Sequence, residues 1–206
     1  MSAGPLFMKV IAYPFSIEEK DLINTVILEK EGTIVYPTET FYALGCAATQ
    51  TAAVSAVYKL KQRPRHLPLL VLIQSWEMLF QYVDAIPHGH LSLLREHWPG
   101  ALTAILPHNG QLPKELNVNA PTVGFRMTSS TVAQALIELI GVPLVGTSAN
   151  RTSEKEVTNC SSARSTFGNE VDLYIDGGES PGGFPSTLVD LTGERCLLVR
   201  EGAIRL

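Results

Sequence analysis

Short uninterrupted apolar runs alternate with helix-period segments along the first two-thirds of the chain, and this alternation restricts the fold more than any other feature. Pro68–Ile73 reads PLLVLI, six apolar residues that fit a strand covered on both faces. Upstream, Ser16-Ile17-Glu18-Glu19 opens a capping-box pattern, with Leu22, Ile23, Val26 and Ile27 at helical spacing and Gly32 closing the helix. Thr33–Tyr36 reads as a strand stopped by Pro37. TETFYALGCAAT then leads into a helix over Thr51–Lys61, which Pro64 prevents from continuing. Downstream the pattern predicts helices at Ser75–Tyr82, His90–His97 and Thr131–Ile140, and strands at Leu102–Leu106, Thr122–Phe125 and Pro143–Val145. Short strands around Leu173, Leu188 and Leu198 finish the chain, between glycine-rich turns. Helices alternating with buried strands, then crowded strands, predict an α/β fold with a mixed parallel and antiparallel sheet flanked by helices. No repeat, low-complexity tract or long linker divides the chain, so residues 1–206 are expected to form a single domain.

The formal net charge of −4 argues against general coating of nucleic acid and leaves only local RNA contact open. Cys46, Cys160 and Cys196 lie far apart without zinc spacing, and His88-Gly-His90 reads as a polar turn, so no metal site is expected. The first residues carry no secretion signal, and no stretch approaches the ~20 apolar residues of a membrane span. A cytoplasmic protein without membrane contact is the expectation.

Neither GxxxxGK[ST] nor GxGxxG is present, so a nucleotide would have to be held in another way. Three polar segments follow strands or helix ends, where α/β sheets collect ligands. Tyr36–Thr40 offers two hydroxyls and Glu39, either for a small polar substrate or as an ordinary helix cap. Lys59, Lys61, Arg63 and Arg65 cluster within seven residues. A helix C-terminus accounts for Lys59 and Lys61, whereas Pro64 puts Arg63 and Arg65 beyond the helix, where arginine suits phosphate or carboxylate. Gly146–Asn150 puts small hydroxyls and an amide at the end of a strand, suited to phosphate oxygens. Acid–base groups are few, so such a site would bind and orient charged partners.

Taken together, the motifs resemble the YrdC-like family of L-threonylcarbamoyladenylate synthases. YPTETFYALG (Tyr36–Gly45) is similar to that family's YPT[DE]TxYGLG, and KQRPRHLPLLVL (Lys61–Leu72) to KxRPxxxPLxxx. WPGALTAILP (Trp98–Pro107) resembles PGxxTxIL, TVGFRM (Thr122–Met127) resembles TVGxRxP, and GTSANRTS carries the TSAN core. FPSTLVDL (Phe184–Leu191) and VREGAI (Val199–Ile204) resemble the closing ESTVVD and RxGAI. The resemblance implies a twisted mixed sheet around a positively charged cavity. It also implies a nucleotidyltransferase that joins L-threonine, bicarbonate and ATP, releases pyrophosphate and forms L-threonylcarbamoyl-AMP, with Mg2+ accompanying ATP. The product would pass to a tRNA threonylcarbamoyltransferase complex for N6-threonylcarbamoyladenosine modification of tRNA.

By position, the resemblance assigns Thr38, Thr40, Arg126 and Ser186 to threonine, and Lys61, Arg63, Thr122, Ser148, Asn150 and Arg200 to ATP. Lys61 and Arg63 would be the catalytic pair, and replacing either with alanine is expected to lower activity with little loss of stability. Ala43, Pro185 and Thr152-Ser153 depart from the family pattern at YGLG, EST and the Ser-Gly after SAN. The alternatives are a non-catalytic RNA-binding module and a sister-branch YrdC-like protein with a different ligand.

Overall fold

The structure, a computed structural model, describes residues 9–206. Eleven strands among these residues form two mixed sheets. The first has the order β1 (Lys9–Ala12), β9 (Leu173–Asp176), β2 (Ile34–Pro37), β3 (Tyr42–Gly45), β8 (Thr147–Ser148). The second runs β11 (Leu197–Arg200), β10 (Thr187–Asp190), β5 (Leu102–Pro107), β6 (Thr122–Met127), β4 (Leu70–Ile73), β7 (Leu144–Val145). Periodicity predicts eight of these strands, not β1, β3 or β8, and not the division between sheets.

The two sheets are stitched together where β3 meets β7. Ala47 and Leu144 form a bridge, the Val145 amide donates to the Cys46 carbonyl (2.9 Å), and the Tyr36 hydroxyl donates to the Val145 carbonyl (2.7 Å). This approach requires Gly45, because a Cβ there would lie 1.8 Å from the Val145 oxygen. The chain passes from one sheet to the other at Gly146, between β7 and β8.

The capping box forms as read: the Ser16 amide donates to Glu19 (2.8 Å) and the Glu19 amide donates to the Ser16 hydroxyl (3.3 Å), starting α1 (Ile17–Asn24). A π-helical turn at Thr25–Glu29 continues it. Gly32 does not supply the left-handed stop; Glu31 does, at φ 52°. Gly32 is instead needed for space, since a Cβ would come 2.7 Å from the Val26 carbonyl. The helix α2 (Thr51–Lys61) ends on Gln62 in the left-handed region. Helices α3 (Trp76–Tyr82), α4 (Leu91–His97) and α5 (Thr131–Ile140) lie where the pattern predicts them. The spacing missed α6 (Cys160–Phe167), which Asn159 caps through the Ser162 amide (2.8 Å). Helices α5 and α6 pack on β2, and one continuous set of buried side chains joins these layers. His88–His90 is a single 3₁₀ turn, as expected of a polar turn, and the buried His90 meets the Gly193 carbonyl at 2.8 Å.

One local expectation fails with consequences for the site. The segment after Pro37 does not enter a helix; it turns over Thr38–Phe41 and returns as β3, antiparallel to β2. No helix N-terminus offers its amides there. Tyr42, Ala43 and Leu44 are apolar and fully or almost fully buried, so the returning strand completes the sheet.

Candidate functional site

A cavity of about 280 Å³ opens on one face of the second sheet. Strand alternation builds its wall: Leu70 and Leu72 from β4, Thr103 and Ile105 from β5, Gly124 and Arg126 from β6, Leu188 from β10, with Ser186 immediately before it. Residues between them, including Val71, Ala104, Phe125 and Val189, are fully buried in the core. Arg200 of β11 and Arg63 of the α2–β4 loop complete the cationic part. The first sheet contributes its hairpin, through Thr38, Thr40, Tyr42 and Ala43, and β8 with the preceding Gly146.

Of the ten residues assigned from the sequence, seven line this cavity: Thr38, Thr40, Arg63, Arg126, Ser148, Ser186 and Arg200. Lys61, Thr122 and Asn150 do not. Thr122, through its hydroxyl and carbonyl, accepts from the Asn117 amide (3.2 and 3.1 Å). The Asn150 amide group donates to the carbonyls of Arg151 (3.0 Å) and Glu154 (2.7 Å), which shapes its own loop.

Lys61, at the end of α2, is 2 % exposed and turns inward. Its ammonium donates to the carbonyls of Ser148 (2.5 Å) and Asn150 (2.7 Å) and reaches Asn150 Oδ1 at 3.4 Å. In return, the Lys61 carbonyl accepts from the amide (2.9 Å) and hydroxyl (3.0 Å) of Thr152. The end of α2 and the Ser148–Thr152 loop are therefore clamped in both directions. All three ammonium donors are occupied by the loop, so Lys61 and Arg63 do not face one anion together in this arrangement. Burial, with the Arg63 guanidinium beside it, pushes Lys61 down to about 7, against the pull of Glu156 and Glu154.

Arg63 turns into the cavity, its Nε donating to the Leu67 carbonyl (3.1 Å) and one Nη to that of Pro68 (2.9 Å). Arg65 folds back instead, its guanidinium 4.7 Å from the Tyr58 ring centroid and bonded to the Ser55 hydroxyl (3.3 Å). Arg200 lies at the solvent-facing mouth and donates to the Ser186 carbonyl (2.8 Å). Desolvation lowers both Arg63 and Arg200 from the ordinary arginine range, and each is lowered further by another guanidinium, Arg200 and Arg126 respectively. They remain cations, and mutual repulsion makes an anion between them favourable.

Beside these cations, Thr38 and Thr40 hydroxyls meet at 3.1 Å, Arg126 approaches the Thr40 hydroxyl at 3.4 Å, and Ser186 pairs with the Thr103 hydroxyl at 2.8 Å. Sequence reasoning gave no role to Thr103 or Glu156. The alternation of Thr103 with core residues on β5 carried the signal for the first; nothing local marked the second. Among the described residues, no group of three His, Cys, Asp or Glu side chains could hold a metal ion, and Glu156 is the only carboxylate on the cavity wall. Glu156 is thus the one carboxylate there that could approach a cation carried in by a ligand.

The departures from the family pattern have structural places. Ser153 holds φ 72°, a conformation natural to glycine, and Ala43 and Pro185 line the cavity.

A threonylcarbamoyl-AMP synthase of Pyrococcus abyssi (strain GE5 / Orsay) is 35% identical over 178 residues, covering 86% of this chain and 52% of that protein. The chain thus spans about half the length of that relative. The solved structure of P. abyssi Sua5 complexed with L-threonine superposes with a TM-score of 0.88 at 31% identity, over 95% of this chain and 57% of that one. E. coli YciO superposes with a TM-score of 0.83 at 30% identity, over 96% and 97%. The model of the Sua5/YciO/YrdC family, described as "Telomere recombination", matches residues 26–202, and on this match the chain belongs to the Sua5/YciO/YrdC family.

Proposed function

We propose that this protein synthesises L-threonylcarbamoyl-AMP from L-threonine, bicarbonate and ATP, as a nucleotidyltransferase serving N6-threonylcarbamoyladenosine formation in tRNA. The observation that carries the reading is one cavity with two kinds of polar wall: hydroxyls around the Glu39-paired Arg126, and the guanidiniums of Arg63 and Arg200, which have no carboxylate partner among the described residues, with Ser186 bonded to both Thr103 and Arg200. An amino acid suits the first and a polyphosphate the second. The threonine amine forms a carbamate with bicarbonate, losing water. A carbamate oxygen then attacks the α-phosphorus, forming a new P–O bond as the bond to pyrophosphate breaks.

Both reactants are anions, so the protein's work is to neutralise and orient them. Arg63 and Arg200 offset the phosphate charge, and Thr40, Arg126 and Ser186 hold the amino acid with its nitrogen toward the nucleotide. Lys61 holds the loop that presents Ser148. Magnesium arriving with ATP would screen the phosphates further. The product would go to a threonylcarbamoyltransferase complex in the cytoplasm; among the described residues no helix is long and apolar enough to cross a membrane. Omission of one substrate at a time tests the reading: pyrophosphate release should require threonine, bicarbonate and ATP together. Turnover that ignores threonine would refute it.

A further inference from the structure

The three guanidinium groups of the cavity are not electrically alike. Among the described residues there are two ion pairs, Arg126–Glu39 and Arg151–Glu170. Arg63 and Arg200 bond only to carbonyls and a hydroxyl and present full charge. Arg126 is the one of the three that a carboxylate faces. Glu39 is not part of the cavity wall. Its Oε1 accepts from Arg126 Nε (2.8 Å) and lies 2.6 Å from Nη2 in the ion pair, and its Oε2 accepts from the Thr128 hydroxyl (2.6 Å).

Thr128 is fully buried, and its oxygen also accepts from the Ser130 amide (3.2 Å), which directs the hydroxyl hydrogen to Glu39. The TVGxRxP pattern has proline at this position, so the hydroxyl is a feature of this chain. Arg126 is gripped along the Nε–Nη2 side of its guanidinium and shows the cavity and Thr40 the remaining edge.

We propose that Glu39, oriented by Thr128, is a specificity-determining positioning residue: it fixes the exposed edge of Arg126 and cancels its charge, so that this end takes a carboxylate and refuses phosphate. The inference rests on the amino-acid reading of this end of the cavity. The desolvation penalty of an anion grows as the square of its charge, while attraction to a fixed group grows only linearly. A neutral, dipolar pair therefore favours a monoanion, and two uncompensated arginines favour a polyanion. Without Glu39, all three arginines would compete for phosphate, and ATP would occupy the place its partner needs.

The experiment is calorimetric titration of L-threonine into wild type, E39Q and T128V, with and without excess inorganic phosphate as the probe. Wild-type affinity for threonine should change less than about twofold on adding phosphate. In E39Q the charge is gone, and phosphate should weaken threonine binding by about tenfold. T128V keeps the charge but loosens the carboxylate; threonine should bind about threefold more weakly, without phosphate sensitivity. ATP affinity should stay within about twofold in both variants, which separates a local effect from general unfolding. Phosphate competition in wild type, its absence in E39Q, or unchanged threonine binding in T128V would each overturn the proposal. Failure of wild type to bind threonine would instead refute the amino-acid reading itself, and this inference with it.

Discussion

Replacing Lys61 with methionine keeps an unbranched side chain of similar reach and deletes the ammonium. Two good hydrogen bonds and one long one disappear, at 2.5, 2.7 and 3.4 Å, while the Ser148 carbonyl keeps the Asn150 amide as a partner. That loss is worth about 2–4 kcal/mol. Against it stands the burial of the amine, which moves it from 10.5 to about 7. At ~1.4 kcal/mol per pKa unit, this burial costs the folded protein about 4 kcal/mol at pH 7, a cost methionine does not carry. The two effects nearly cancel, so the variant should match wild type within about 2 kcal/mol at pH 7. Above pH 7 the balance tilts. Between about 7 and 10.5 the unfolded chain binds a proton that the folded chain lacks, so wild-type stability rises with pH relative to the variant. By pH 9 wild type should have gained about 2 kcal/mol on Lys61→Met, measured by urea unfolding of both proteins at the two pH values. An identical difference at pH 7 and pH 9 would refute the reasoning: Lys61 would then remain an ammonium in the fold, held by its three acceptors.

Arg63→Ala should lower threonine-dependent pyrophosphate release by about tenfold or more, with a change in unfolding free energy below about 1 kcal/mol, because the side chain is only half-buried and bonds its own loop. Gly45→Ala drives a methyl group into the Val145 carbonyl and should cost more than about 3 kcal/mol, visible as a large drop in thermal midpoint. Ser153→Gly relieves a left-handed backbone at φ 72° and should stabilise by about 0.5–1 kcal/mol in urea, without altering turnover.

The elements that were legible in the sequence have their own internal period or caps. PLLVLI, the Thr131–Ile140 stripe and the Ser16 capping box all form where the pattern indicated. The strand Tyr42–Gly45 was missed because its four residues are buried on both faces and carry no alternation to distinguish them from a helix lead-in. Helix α6 was missed because its apolar residues are few and its helical identity rests on the Asn159 cap. At the cavity, residue type announced Arg63 and the threonine hydroxyls. It could not reveal that Lys61 turns inward to main-chain oxygens or that Glu39 lies behind Arg126. Those are tertiary facts, set by which strands become neighbours: Glu39 and Arg126 are 87 positions apart.

The cavity face of the second sheet has a further consequence for how such a protein can change. Along β5 and β6, a residue that faces the cavity is followed by one that faces the core, so two independent texts are written on alternate letters of the same strand. Substitutions at Leu70, Leu72, Ile105 or Leu188 can reshape what the cavity accepts while their neighbours go on holding the layers together. A chain built so can acquire a new ligand preference without first surrendering its stability.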